Sequence, residues 1–311
     1  MMASLSVAEL GLPEVIQRLR LKISPRSFDE LMPQLLCTVY QSTAQSSHTT
    51  RHVAQTLAAW LRSQHYEWSV EEFAEGYRHV VEKATGVALN WEQHDLTLQN
   101  IQARARAPGA WMLANQRQAL LLATSNRSEI AVGYATMDGD TAGGYAPLAG
   151  IDKAFIRSWL TVLEREGIAA MPPVPALAAV NAQAPTAELR PSALQRGGPQ
   201  TDESDLMPYE VLNRIERGLV AEGYDAEEIV RDLNEHFGAR FKASQYQEWV
   251  RLFLTLFSRN QWKRERYAPG LHVDRYNLDP RSYFRFPILS GGFKEELEEL
   301  ALSGTLNGPK P

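Results

Sequence analysis

"ALLLATSNRSEIAVGYATMDGDTAGGYAPLAGIDKAF", residues 119–155, sets an apolar run directly ahead of a hydroxyl, an amide and several carboxylates. Residues 119 to 123 read as a short buried strand. The chain leaving it carries Thr124, a short helix over 126 to 133 and a glycine-rich loop that runs to Gly150. In an open α/β sheet, ligands bind in the crevice beyond the carboxyl ends of the strands, so a site is expected here. Upstream, the strand-like "LLCTVYQ" precedes "SSHTTRHVAQTLAAWLRS", whose Ser/Thr start and spacing of Val53, Leu57, Ala58 and Leu61 suit an amphipathic helix. "VEEFAEGYRHVVEKATG" repeats that pattern and closes on Gly86, and "KAFIRSWLTVLEREG" forms another helix downstream. "HDLTLQNIQARARAPGAWMLANQRQ" is expected to be helical on both sides of a break at Pro108-Gly109. Alternation of strand and helix at these lengths predicts an α/β fold with a parallel sheet.

At 311 residues, 44% hydrophobic and 22% charged, the chain has material for one large domain or two ordinary ones. A net charge of −5 argues against a sequence-independent nucleic-acid binder, which would carry a basic surplus. The N-terminus lacks an uninterrupted apolar core with a cleavage signature, and no window approaches the roughly 18 apolar residues of a membrane span, so a cytoplasmic protein is expected. The single cysteine, Cys37, excludes an intrachain disulfide and reads as a packed thiol in a strand. His48 and His52 lie four apart with no acidic or cysteine partner in sequence reach, which favours a solvated helix face over a zinc site. From Ile168 to about Thr201 the chain turns rich in Pro, Ala and Gly, the composition of a linker or of a loop that orders on binding. Three helical patterns follow, and the tail after Pro269 is expected to be irregular.

Several side chains carry two readings. Asn100 and Arg104 share one face of a helix and, with Arg106, suit a phosphate or carboxylate, or else form a solvated polar face. Glu129 stands three residues after Asn126, the spacing of a capping box, and is equally a hard oxygen ligand for Mg²⁺. Asp138 and Asp140 flank Gly139 ahead of "TAGG" and fit a ligand-binding loop or a plain turn. Lys153 is placed to neutralise phosphate, although an exposed lysine is the commoner fate. "LSGGFKEE" imitates the opening of a pyrophosphate-binding SGGxDS loop but lacks its Asp-Ser, and reads as a turn.

Taken in order, "LQNIQARARAPGAWMLAN", "LLLATSNRSEIAVGYATMDGDTAGG", "IDKAF", "NAQAPTAELRP", "QTDESDLMPYEVL" and "NQWKRERYAP" closely resemble the synthetase domain of glutamine-dependent NAD synthetases, over about residues 35 to 295. The resemblance implies an adenine-nucleotide α-hydrolase, or PP-loop, fold: a Rossmann-like parallel sheet with helices on both faces. It implies ATP-dependent amidation of deamido-NAD to NAD through an adenylate, with ATP and Mg²⁺ required. By motif, Thr124, Lys153 and Thr186 resemble ATP contacts, and Glu129 resembles the metal ligand. Asn100, Arg104, Glu129, Asp140 and Lys263 resemble contacts to deamido-NAD, and Lys153 with Asp140 resemble the catalytic pair. Residues 1–30 are expected to be a remnant linker or helix and 31–311 the synthetase domain, with a flexible lid over 168–206 and a helical part and tail over 207–311.

Two departures accompany the matches. The family's first strand and SGGxDS loop are expected just before the present start, and the nitrilase-like amidase that releases ammonia from glutamine is expected as a separate domain or subunit, which leaves this chain impaired alone. A non-catalytic dinucleotide-binding or assembly subunit is the alternative, and a GMP or asparagine synthetase fits the "TSNRSE" and "GDTAGG" wording less well. Homo-oligomers are usual in the family, and helices over 94 to 117 and 245 to 262 are expected to offer apolar surface for an interface.

Overall fold

A computed structural model describes residues 2–21, 23–168, 171–184, 188–191 and 201–306. Elements α1 (Met2–Leu10), α2 (Leu12–Leu19), α3 (Phe28–Leu35), β1 (Cys37–Ser42), α4 (His48–Trp60), β2 (Gln64–Ser69), α5 (Glu71–Thr85) and α6 (Asp95–Arg117) come first. They are followed by α7 (Arg127–Val132), α8 (Lys153–Arg165), α9 (Ala178–Asn181), α10 (Asp202–Asp205) and α11 (Tyr209–Arg217). The last four helices are α12 (Ala226–Phe237), α13 (Ala243–Arg259), α14 (Gln261–Arg264) and α15 (Lys294–Leu306). The chain divides into two compact units, Met1–Arg106 with Arg157–Pro199, and Ala107–Ile156 with Gln200–Pro311.

In the first unit β1, α4 and β2 form a β-α-β element whose strands pair in parallel from Cys37 against Gln64 to Ser42 against Ser69. Ser47 caps α4 by accepting from the Thr50 amide at 3.1 Å, satisfying a donor that the helix start leaves without a partner. Gly86 ends α5 in the left-handed conformation, as expected from the sequence. Segment 188–191 is tied down by side chains of the same unit. Glu188 accepts from the Ser47 amide at 3.1 Å, Gln102 donates to the Leu189 carbonyl at 2.8 Å, and Arg190 makes a two-armed bond to Asp95 at 2.8 and 2.6 Å.

The second unit holds the larger core. Tyr246, Val250, Phe253, Leu254 and Phe257 form one helical stripe on α13, each 0% exposed, and burial of such side chains contributes about 1.5 to 3 kcal/mol apiece. Val211, Leu212 and Ile215 of α11, Ile229 and Leu233 of α12, and Leu300 of α15 close around that stripe.

Several expectations are corrected. Residues 119–123 form no strand: the backbone pairs only at a single parallel bridge between Leu122 and Tyr145, and Leu120 and Leu122 are exposed. Helix α6 runs unbroken through Pro108, because a proline in a long helix removes one donor and leaves the rest of the ladder in place. The tail is not irregular throughout, since "KEELEEL" begins α15. Cys37 is half-buried rather than packed in a core. The buried stripe of α13 packs into the core, and within residues 245 to 262 Trp262 stays exposed. His48 and His52 are exposed on α4, and among the described residues no cluster of three or more His, Cys, Asp or Glu could hold a metal. No helix among the described residues is long and apolar enough to cross a membrane.

Candidate functional site

Helix α7 is six residues long, too short to be stable by itself, so the surrounding chain must satisfy both its ends. At its start a capping box closes. The Asn126 side chain accepts from the Glu129 amide at 3.1 Å, and Glu129 Oε2 accepts from the Asn126 amide at 3.3 Å. At its other end Asn260 Nδ2 donates to the Val132 carbonyl at 2.8 Å, Lys263 Nζ to the carbonyls of Gly133 and Ala135 at 2.7 and 2.8 Å, and Arg264 to that of Ala131 at 2.7 Å. Two cations therefore sit where the helix dipole is negative. Gly133 takes the left-handed conformation at φ +66°, and a Cβ there would lie 2.5 Å from Asn260 Cβ. In the "GDTAGG" loop, a Cβ on Gly143 would lie 2.5 Å from the Ala123 amide nitrogen, so a glycine is needed where the loop crosses residues 121 to 123.

With Oε2 engaged in the capping box, Glu129 turns Oε1 outward to Lys153, whose Nζ stands 2.8 Å away. The two readings of Glu129, cap and charged ligand, are thus compatible, one on each oxygen. The pair is partly sheltered, with side chains 18% and 21% exposed, and so still open to a ligand. Lys153 also lies 5.8 Å from the centre of the Tyr209 ring, and the Tyr209 hydroxyl donates to Asp202 at 2.8 Å. Burial raises the Asp202 carboxyl above its ordinary range; the Tyr209 bond and the Lys153 charge oppose this, while the Glu129 charge adds to it. Burial, then Asp202, push the Tyr209 phenol well above its usual value. Beside α7, the buried Tyr267 hydroxyl has no hydrogen-bond partner among the described residues. Burial and then the charges of Glu129 and Asp140 drive it upward, so both carboxylates act on one phenol.

Thr124 is exposed two residues ahead of the α7 cap. Asp140 is exposed in the loop and accepts from the Thr136 amide at 2.8 Å. Its neighbour Asp138 bonds Arg266 at 2.8 and 3.0 Å, so of the two carboxylates weighed in that loop one serves a surface ion pair. Lys263 spends its ammonium on the carbonyls beyond α7. The second unit thus holds Thr124, Glu129, Asp140, Lys153 and Lys263, of which Glu129 with Lys153 and Lys263 are bonded at the two ends of α7. Asn100, half-buried, and Arg104, exposed, belong to the first unit and share a face of α6. Thr186 lies outside the described residues. Asp202, Tyr209 and Tyr267 were missed as parts of this cluster; the capping signal Thr201 to Ser204 in "QTDESD" places Asp202 at a helix start, whereas nothing local marks Tyr267.

A carboxylate oxygen beside an ammonium, with no group of three or more His, Cys, Asp or Glu among the described residues to hold an ion, suits magnesium only when phosphate oxygens complete its shell. The donor set fits a metal that arrives with a nucleotide.

The NAD synthase family model matches residues 29–265. The glutamine-dependent NAD(+) synthetase of Xanthomonas campestris pv. campestris is 35% identical over 202 residues, 64% of this chain and 32% of that protein. The protein of the same name from Thermotoga maritima is 33% identical over 252 residues, 78% of this chain and 37% of its own length. In structure, the glutamine-dependent NAD(+) synthetase of Cytophaga hutchinsonii superposes with a TM-score of 0.80 at 41% identity, covering 96% of this chain and 48% of that one. The chain therefore spans about a third of the length of the curated relatives it matches. The α/β class and PP-loop fold expected from the sequence agree with this neighbour, although the strand pairing in the described residues is small, two parallel strands and two isolated bridges. With a matched region that covers most of its length, the chain belongs to the NAD synthase family.

Proposed function

We propose that this chain carries the synthetase reaction of NAD formation. The nicotinate carboxylate of deamido-NAD attacks the α-phosphorus of ATP, the bond to the bridging oxygen breaks, and pyrophosphate leaves. Ammonia then attacks the acyl carbon of the adenylate, loses a proton, and expels AMP to give the amide, NAD. The observation that supports this best is the 2.8 Å pair of Glu129 and Lys153 at the start of α7, in a chain of this family.

Lys153 swings from Glu129 to phosphate oxygens and offsets the charge that develops on the leaving pyrophosphate. Glu129 Oε1 is the atom that would hold magnesium, which when bound neutralises phosphate charge. Thr124 contributes a hydroxyl to ATP, and Thr186 keeps the ATP role implied by its motif. By motif, Asp140, Lys263, Asn100 and Arg104 contact deamido-NAD, Lys263 by releasing the carbonyls of Gly133 and Ala135. Exclusion of water from the acyl-adenylate is the task of the segment over 184 to 206, of which 184, 188–191 and 201–206 are described. Ammonia comes from a glutamine amidase domain or subunit, as the relatives' name "glutamine-dependent" suggests. A homo-oligomer in the cytoplasm completes the proposal; Met112 on α6, 72% exposed, is available for such an interface.

The test supplies ammonia, ATP, Mg²⁺ and deamido-NAD to the purified chain and follows NAD, AMP and pyrophosphate. Their appearance in equal amounts is expected. A chain that binds neither nucleotide and forms no NAD contradicts the proposal.

A further inference from the structure

We infer that Asn213 is a positioning residue for the Glu129 and Lys153 pair, through a closed ring of hydrogen bonds that joins α7, α8 and α11. The inference rests on the function proposed above for that pair.

Three side chains and one backbone amide make the ring. Ser128, 0% exposed, donates its hydroxyl to Asn213 Oδ1 at 2.6 Å. Asn213 Nδ2 donates to Asp152 Oδ1 at 2.7 Å. The chain then passes from Asp152 to Lys153, whose backbone amide donates to Ser128 Oγ at 2.9 Å and closes the circuit. Ser128 and Asp152 are each followed directly in the chain by one member of the ion pair. An asparagine suits the joining position because its amide offers an acceptor to one partner and a donor to the other.

The ring is fixed from outside as well. Asp152 Oδ1 also accepts from the Phe155 amide at 2.7 Å, capping the first turn of α8. Arg127, 3% exposed in its side chain, reaches the Gly150 carbonyl at 3.1 Å, Asp152 at 3.4 Å and Glu216 at 2.8 Å. Lysine has a long, flexible side chain that could meet Glu129 from many backbone positions. Holding its amide selects one of them before a ligand arrives, and that is how a site keeps preorganised charge where charge develops.

The test compares the full-length chain with Asn213→Ala, Asn213→Asp and Ser128→Ala, reading amide hydrogen exchange by NMR and steady-state kinetics with ammonia as the nitrogen source. Asn213→Asp keeps the acceptor for Ser128 and sets a carboxylate against Asp152, so it opens the ring at one joint only. The expected result is exchange of the Lys153 amide about tenfold faster in each variant, as for loss of one buried hydrogen bond, while the amides of Phe253 and Leu254 keep their protection. The same variants lose about tenfold or more in kcat with KM for ATP held within about twofold, the signature of an interaction lost chiefly in the transition state. An unchanged Lys153 exchange rate, or an unchanged kcat in variants whose Lys153 amide has loosened, overturns the inference. Should Asn213→Ala lose core protection, the other two variants decide. A wild-type chain without turnover sinks the proposed function instead, and the Lys153 exchange rate then supports or overturns the positioning by itself.

Discussion

Glu129 presents one carboxylate oxygen to the amide of Asn126 and the other to Lys153 Nζ, 2.8 Å away, so a single side chain both starts a helix and holds a cation. Lys153→Met separates the two duties. Because ion pairs that remain open to water contribute little, its stability is expected to fall by no more than about 1 kcal/mol in urea denaturation. NAD formation is expected to fall about 10² to 10³-fold, the scale for losing one preorganised donor to developing charge. A Lys153→Met chain with full activity would remove the residue from the reaction.

The C-terminal end of α7 leans on Arg264, 2% exposed, which bonds the carbonyls of Ala131 and Phe257 and lies 3.8 Å from the Phe257 ring centre. Arg264→Met should leave those carbonyls unpaired and lower stability by about 2 to 4 kcal/mol, read as a lower urea midpoint with an unchanged slope. Lysine should not rescue it, because a point ammonium does not reproduce the planar fork.

Glu216 is 0% exposed beside Arg127, and burial, opposed by Arg127 and aided by Asp152 and Asp274, pushes its carboxyl up to about 7. A raised carboxyl favours the folded state while protonated. Its contribution is complete below about pH 4.5 and is lost as the pH climbs through 7. Glu216→Gln is therefore expected to flatten the decline in unfolding free energy between about pH 4.5 and 7. Parallel curves for the two proteins would contradict this assignment.

Gly133→Ala combines a left-handed backbone with a Cβ 2.5 Å from Asn260. The expected loss is about 2 to 4 kcal/mol, from strain at positive φ together with overpacking, seen as a lower thermal midpoint. Displacing Asn260 also frees the Val132 carbonyl, so nucleotide affinity should fall with it.

Where helices announce themselves by period and by caps, the sequence is readable. Ser47 before α4, Gly86 after α5 and the Tyr246 to Phe257 stripe all appear where local rules put them. The run at 119 to 123 misled because apolar letters say nothing about a partner strand, and the backbone there forms a single bridge, Leu122 with Tyr145, in place of a ladder. Pro108 misled because loss of one donor does not end a 23-residue helix. Glu129 and Lys153, 24 residues apart in the chain, are singled out by residue type and resemblance, and the folded chain pairs them. Arg264 and Asn260 are not singled out, since the carbonyls they satisfy lie about 130 residues away and carry no side-chain signature. The same holds for Arg127 with Glu216, a pairing that only the folded chain defines.

The most direct test of the account is calorimetric titration of ATP into the wild-type chain and into Glu129→Ala, each with and without Mg²⁺. The wild-type chain is expected to bind ATP about tenfold or more tightly with Mg²⁺ than without, as for one charge-assisted contact, and Glu129→Ala is expected to erase that difference. An equal Mg²⁺ enhancement in both proteins, or ATP binding by neither, would contradict the assignment of Glu129 and Lys153 as the grip on nucleotide and metal.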